Sequence, residues 1–459
     1  VTPHDEPQEK VLGRTDLLLF SVAAVLTMDT LASASSTGPS WFGWWAVIMV
    51  LFFIPYGLIT AELGSAWPGE GGLHIWVRAG LGPRWGSMAS WLYWINMVYW
   101  IPPVYLVFAG TFDSMVTGTG SVAFQTGIAI VLTWITVAIG IARLKLAKWI
   151  PNLGALVKVT IFGCLGVMGL SAVVSGKPPA NAITFETMAP NWSASVAYLP
   201  VLLYNVLGFE LMSSAGGEMK SPQRDVPRAI LASGVIIMLV YSLGALGVLL
   251  AVPVDELSLV TGAWDALEIL GRQWGVLGGS FATLLGVGFL FALVTNIVTW
   301  SIGVNRVAAT AASEGLLPRS LSALHPRFGT PHIAVIAMGV ISTVLLIGNA
   351  LLASSATNIF WMTFKLSGVC FLLSYVLMFP AFLALRYREA AVVRPYTMPG
   401  GLPGAWIATI LCWSFVVGGS VLFFVQSPTS ESPTLEALLL GGETLATVAV
   451  GLLIVPRRT

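Results

Sequence analysis

Apolar runs of roughly 20 residues recur along the chain, parted by short polar stretches. A helix rises about 1.5 Å per residue, so each run is long enough to cross a bilayer. The alternating short segments of a β-barrel are absent from the pattern. The runs predict twelve spans, near 15–36, 41–65, 86–112, 121–142, 149–174, 196–219, 228–251, 275–312, 331–353, 358–386, 403–425 and 434–455. The eighth run is long for one span, so its cytoplasmic end is expected to extend beyond the bilayer. The expected fold class is an all-α polytopic membrane protein.

Composition agrees. The chain is 56% hydrophobic and 9% charged, too little charge for a soluble protein of 459 residues. A net charge of +1 gives no basic footprint, so no nucleic-acid partner is expected. Cys164, Cys370 and Cys412 fall in three different apolar segments and read as buried small hydrophobes. His4, His74, His325 and His332 are scattered and form no metal motif, and no cofactor is expected. Val1–Pro7 is polar and lacks the basic region and cleavage site of a signal peptide, so residues 1–14 read as a cytoplasmic tail.

Charge placement sets the orientation. With the N-terminus inside, eighteen of the 22 basic residues fall on cytoplasmic sides. Only Lys177 and Arg272 fall outside, and Lys158 and Lys365 lie within spans. That asymmetry is a positive-inside signal, predicting a multi-pass protein of the inner (cytoplasmic) membrane with both termini cytoplasmic. Four segments read as non-spanning. These are the Gly-rich turn and amphipathic stretch Trp67–Arg78, the outer loop 176–195, the polar helix-like run Trp264–Leu270, and the loop Gln426–Glu431.

The chemistry concentrates in two spans. Asp29 sits near the middle of the first, within Val25–Ser36, followed by small and hydroxyl-bearing residues that end in Thr37-Gly38-Pro39. A carboxylate at membrane depth is expensive to bury and marks a functional site by default. Non-helical backbone at that depth is tolerated only around a protein-lined cavity, so a broken helix is expected here. The sixth span carries Tyr204, Asn205, Gly208 and Glu210. Gly208 can free the backbone, and Tyr204 and Asn205 precede it as candidate substrate contacts. Glu210 beyond a break lies between the pull of a helix dipole towards ionisation and the pull of burial towards neutrality, which suits a proton carrier. The alternative is a carboxyl that only caps or hydrogen-bonds a neighbouring helix. Matched interruptions in two halves point to an inverted-repeat transporter with its site at the midplane. The repeats would be residues 15–175 (spans 1–5) and 196–388 (spans 6–10), with 403–456 (spans 11–12) as an appendix.

Several stretches carry a family resemblance. Gly208-Phe209-Glu210 and Gly217–Pro227 resemble the span-6 signature and following loop of the amino acid–polyamine–organocation superfamily. Ile54–Leu58 with Ala61-Glu62-Leu63, then Gly71-Gly72 to Leu81–Gly86, resemble its spans 2 to 3. Ser313–Pro318 and Arg394–Gly401 match later loops. Spans 2 and 3 are nearest in character to the bacterial glutamate/γ-aminobutyrate antiporter group. The sequence ends at Thr459 without that group's long C-terminal plug. The resemblance implies alternating access, with spans 1, 2, 6 and 7 rocking against 3, 4, 8 and 9.

One departure bears on the substrate. The family's span 1 carries a Gly-Ser-Gly-type break whose amides hold a carboxylate; here Thr27-Met28-Asp29-Thr30 stands in its place. Exposed amides favour an anion, whereas a carboxylate favours a cation. A span-1 aspartate resembles the arrangement in monoamine carriers. Asp29 with Thr30 is therefore expected to hold an amine or polyamine. The alternatives are that Asp29 caps the outer half-helix or pairs with Lys365.

By the same resemblance, Lys158 in span 5 stands where sodium-coupled relatives bind the cation, reaching span-1 carbonyls and span 8. A fixed structural lysine is the alternative. Trp300 in span 8 matches a tryptophan that shapes the site in basic amino-acid antiporters. Trp91, Trp94, Asn96, Tyr99 and Trp100 in span 3 add candidates, but with 18 tryptophans in the chain no single one stands out. Lys365 is left between partnering Asp29, partnering Glu210, and snorkelling. The expected function is secondary transport of an amine or amino acid, with protons as the candidate coupling ion, in a monomer or homodimer. Competing readings are a zwitterionic amino acid carrier and a non-transporting membrane sensor. No nucleophile–base pair supports an enzyme.

Overall fold

The computed structural model describes residues 14–68, 72–142, 149–211, 221–352, 355–425 and 433–454. The N-terminal tail up to residue 13, the Gly-rich turn at 69–71, the basic loop 143–148, the second part of the sixth run at 212–220, the loop 426–432 and the basic C-terminus lie outside the described residues. Among the described residues, ten helices are long and apolar enough to cross a membrane and no strand occurs.

The first run is not one helix. It divides into α1 (Arg14–Val25) and α2 (Leu31–Ser35), joined by an unwound segment. A tight turn at Gly38, with φ +71°, then leads straight into α3 (Gly38–Ala66). The amphipathic stretch forms α4 (Leu73–Leu81), followed by α5 (Pro83–Val116), α6 (Val122–Ala142) and α7 (Trp149–Val174). The sixth run yields only α8 (Leu199–Tyr204) before its backbone opens. Next come α9 (Pro222–Ala251), the short polar helix α10 (Gly262–Arg272) and the long α11 (Gly275–Ser313). The chain finishes with α12 (His332–Leu352), α13 (Ala356–Arg388), α14 (Gly401–Val425) and α15 (Pro433–Ile454).

Small residues let these helices close on one another, as helix association within lipid requires. A Cβ at Gly166 would meet Leu243, and one at Gly169 would lie 3.2 Å from Gly247, so α7 and α9 touch backbone to backbone. Gly80 on α4 meets the Ala381 carbonyl of α13 in the same way. Pro102 and Pro103 inside α5 cannot donate to the preceding turn, and the Val98 carbonyl takes the Ser342 hydroxyl of α12 instead, at 2.7 Å.

Two ion clusters tie the basic-rich face. Glu62 of α3 is buried and ion-paired to Arg386 of α13 and, at 3.2 Å, to Arg394, while also accepting the Met398 N–H at 2.9 Å. Glu314, just past α11, meets Arg78 at 2.6 Å and the buried His74 at 3.3 Å, both on α4. The His74 hydrogen bond foremost, and the Arg78 guanidinium, hold the Glu314 carboxyl below its usual range. A depressed carboxyl contributes stability above its unfolded pKa and loses it as pH falls through the folded value. The melting temperatures of the wild type and Glu314→Gln should therefore differ at neutral pH and converge in acid, as thermal unfolding at a series of pH values will read.

The sequence left Lys365 open, and the structure answers with Glu436, at 3.0 Å on the first turn of α15. The pair joins α13 to α15, 71 residues apart in sequence.

Candidate functional site

The unwound segment between α1 and α2 exposes helix-end carbonyls that need donors. Three distant side chains supply them. Lys158 Nζ of α7 donates to the Ala23 carbonyl at 2.6 Å. Trp300 Nε1 of α11 donates to the Ala24 carbonyl at 3.0 Å, and the Tyr241 hydroxyl of α9 to the Thr27 carbonyl at 2.9 Å. An ammonium at a helix C-terminus also meets the negative end of the dipole. Lys158 is fully buried and donates a second bond to Asn296 Oδ1 at 2.7 Å, joining α1, α7 and α11.

The second break mirrors this at its amides. Beyond α8 the chain turns at Asn205 and opens at Leu207-Gly208, and 209–211 form a single 3-10 turn. The Gly208 and Phe209 N–H groups both donate to the Tyr56 hydroxyl at 3.1 Å. Tyr56 in turn donates to Glu210 Oε2 at 2.6 Å, while Tyr93 donates to Oε1 at 2.8 Å. Both oxygens of Glu210 are thus held by phenols.

Hydroxyls tie the two breaks together. Asn205 Oδ1 accepts from Thr30 at 2.6 Å and from Thr27 at 3.1 Å, and the Tyr241 hydroxyl lies 3.4 Å from Thr30. Asp29 faces the aromatic side. Its Oδ2 accepts the Trp100 indole N–H at 2.9 Å, while Oδ1, although buried, has no hydrogen-bond partner among the described residues. Trp100 and Trp300 meet edge to face at 5.7 Å, and Phe371 packs 5.7 Å from Trp300 and 5.2 Å from Tyr204. Asp29, Lys158, Glu210 and Trp300 are each at most 3% exposed, so this chamber of side chains between the two breaks is shut off from solvent. On one side Gly262 of α10 seats against Ala32 of α2.

Gly208 is required by space as well as by backbone. Its φ is +121°, and a Cβ would come within 3.0 Å of the Trp300 ring. Gly208→Ala is expected to cost roughly 1–3 kcal/mol from the strained backbone alone. It should both lower the melting temperature and impair transport, as thermal unfolding and flux assays will read.

All eight expected residues gather around the breaks: Asp29, Thr30, Tyr204, Asn205, Gly208 and Trp300 at the chamber, Lys158 behind α1, and Glu210 two residues past Gly208. Asp29 is not a helix cap, since the residue preceding α2 is Thr30 and no side-chain cap is formed there. Of the span-3 candidates only Trp100 reaches the chamber carboxylate. Trp91 donates to the Thr447 carbonyl, Trp94 to Asn305, Tyr99 pairs with the Thr447 hydroxyl, and Asn96 accepts from Ser367. Sequence reasoning did not single out Tyr56, Tyr93, Tyr241 or Phe371. A buried tyrosine among apolar residues gives no local signal of the group that it will cap.

A buried cluster of polar and charged side chains at two helix breaks, inside a bundle of membrane-length helices, is the arrangement of a membrane transport protein. The chain belongs to the amino acid permease family, whose model matches residues 12–442. It is 32% identical over 394 residues to a probable agmatine/putrescine antiporter of Lactococcus lactis subsp. lactis, covering 84% of this chain and 83% of that one. It is 28% identical to a polyamine transporter of Oryza sativa subsp. japonica, covering 89% and 70%. It is 24% identical to a glutamate/γ-aminobutyrate antiporter of Lactococcus lactis subsp. lactis, covering 85% and 80%.

Proposed function

We propose that this secondary transporter of amino acids or related amines carries an amine or polyamine, bound at the two breaks and held by Asp29. The carrying observation is the buried Asp29 Oδ1 that lacks a hydrogen-bond partner beside an Oδ2 fixed by Trp100. A buried acceptor of this kind calls for a donor, and an ammonium supplies both proton and charge. Trp100, Trp300 and Tyr204 offer ring faces to a cation's methylenes and ammonium. Thr30 and Asn205 line the polar side. The relatives named for agmatine, putrescine and polyamines support the same substrate class.

The two broken runs and the ten long helices fit a twelve-span carrier with a five-plus-five inverted repeat, working by alternating access. The excess of basic residues on one side of the spans supports a reading in which both termini are cytoplasmic and the protein sits in the inner membrane. Lys158 stands in for a bound sodium ion by fixing α1 to α7 and α11. Glu210 links the second break to α3 and α5 through Tyr56 and Tyr93, and a proton delivered to it would loosen both phenol contacts.

The purified chain alone, reconstituted in vesicles loaded with unlabelled putrescine or agmatine, should exchange them for external label. If neither amines nor amino acids move, the chain is a sensor and not a carrier. A zwitterionic substrate has one observation in its favour, the buried Asn205 Nδ2 without an acceptor among the described residues, which an amino acid's carboxylate would satisfy.

A further inference from the structure

Away from the chamber, α7 and α11 part company. Near the chamber they are in close contact, where a Cβ at Gly154 would meet Thr295 and one at Gly288 would touch Val157 and Ile161. Towards the end of α7 and the start of α11 they diverge, and a groove of about 400 Å³ opens between them. Val159, Gly163, Val167 and Met168 form one wall, Trp274 and Phe281 the other. A side chain at Gly163 would meet nothing within 4 Å, so this glycine faces open space. The Thr160 hydroxyl in the wall is spent on the Leu156 carbonyl at 2.9 Å, which leaves the lining apolar.

Two observations decide the occupant. From Val159 to Met168 the wall runs about 13 Å at the helical rise, close to the roughly 15 Å depth of one leaflet's hydrocarbon. The two basic residues that the charge pattern leaves on this face of the membrane are Lys177, nine residues past the lining Met168, and Arg272. Lys177 lies in the turn closing α7, where its N–H donates to the Ala172 carbonyl at 3.1 Å. Arg272 ends α10, two residues before the lining Trp274; its side chain is 75% exposed and paired with Glu268 at 2.5 Å. Trp274 itself is half exposed, as an interfacial anchor is.

We propose that this groove is a binding site for an anionic glycerophospholipid, one acyl chain lying between α7 and α11 and the headgroup phosphate meeting Lys177 and Arg272. The site is independent of the transported substrate. It seats a lipid against the outward face of α7, the helix whose Lys158 holds α1.

The test is native mass spectrometry of the full chain taken from vesicles of equal phosphatidylglycerol and phosphatidylcholine. The wild type should retain phosphatidylglycerol preferentially. Lys177→Gln with Arg272→Gln, both at the surface, should lower that preference by roughly fivefold per lost charge. Gly163→Leu, which fills the groove, should abolish retention of either lipid. Equal retention of both lipids by the wild type, no retained lipid, or a preference unchanged in the surface double variant would each overturn the proposal. The double variant leaves the packing untouched, so it carries the test even if Gly163→Leu folds poorly.

Discussion

Asp29→Asn should abolish amine transport while leaving the protein folded. The substitution keeps size and shape, and Asn Oδ1 can still accept the Trp100 N–H. What it removes is the charge that would face the substrate's ammonium. Truncating one partner of a buried, hydrogen-bonded charge pair costs roughly 2–5 kcal/mol. That corresponds to a fall of about 30- to several-thousand-fold in the affinity for putrescine or agmatine. A competition binding assay in detergent reads this directly, with the melting temperature of the unliganded protein as the control for folding. If the variant binds diamines as the wild type does, Asp29 is a structural carboxylate and the amine assignment fails. The superfamily assignment would survive that result, because the breaks and the family match do not depend on it.

Glu62→Gln should have the largest effect on stability. Glu62 is 1% exposed and balances two guanidinium groups, those of Arg386 and Arg394, which reach it from the end of α13 and the loop that follows. The glutamine keeps the volume but leaves two positive charges with no carboxylate between them. Removing one partner of a buried ion pair destabilises by roughly 3–5 kcal/mol. The expected outcome is poor recovery of folded protein and a markedly lower apparent melting temperature. Arg386→Gln should cost less, since Arg394 and the Met398 N–H would still face the carboxylate. A Glu62→Gln protein as stable as the wild type would mean that water reaches this cluster and screens it.

The long helices were legible because a run of about 20 apolar residues has few other uses. The break after α1 was also legible, since an acid, two threonines and a Gly-Pro pair at membrane depth conflict with an unbroken span. The caps of the breaks were not. The Ala23 and Ala24 carbonyls are held from α7 and α11, 135 and 276 residues away, and nothing near those alanines encodes it. Lys158 was reached through family likeness, whereas Tyr56, Tyr93 and Tyr241 were missed because each looks like one more core aromatic until a carbonyl, an amide or a carboxylate is brought to it. Lys365 shows the same limit. Two acids in the broken spans were the obvious partners, and the partner proved to be Glu436 on α15. The Glu62 cluster had only its family motif to mark it, and that motif does not say which arginines will meet it.

The amine claim meets its most direct test in the substrate preference of the wild-type chain. In proteoliposomes exchanging labelled putrescine, unlabelled diamines, agmatine and zwitterionic amino acids compete in parallel, with and without a proton gradient. Diamines and agmatine should compete at concentrations at least tenfold below those needed for any amino acid, as a charge beside Asp29 with no carboxylate to repel requires. Amino acids competing as well as or better than diamines would contradict the account.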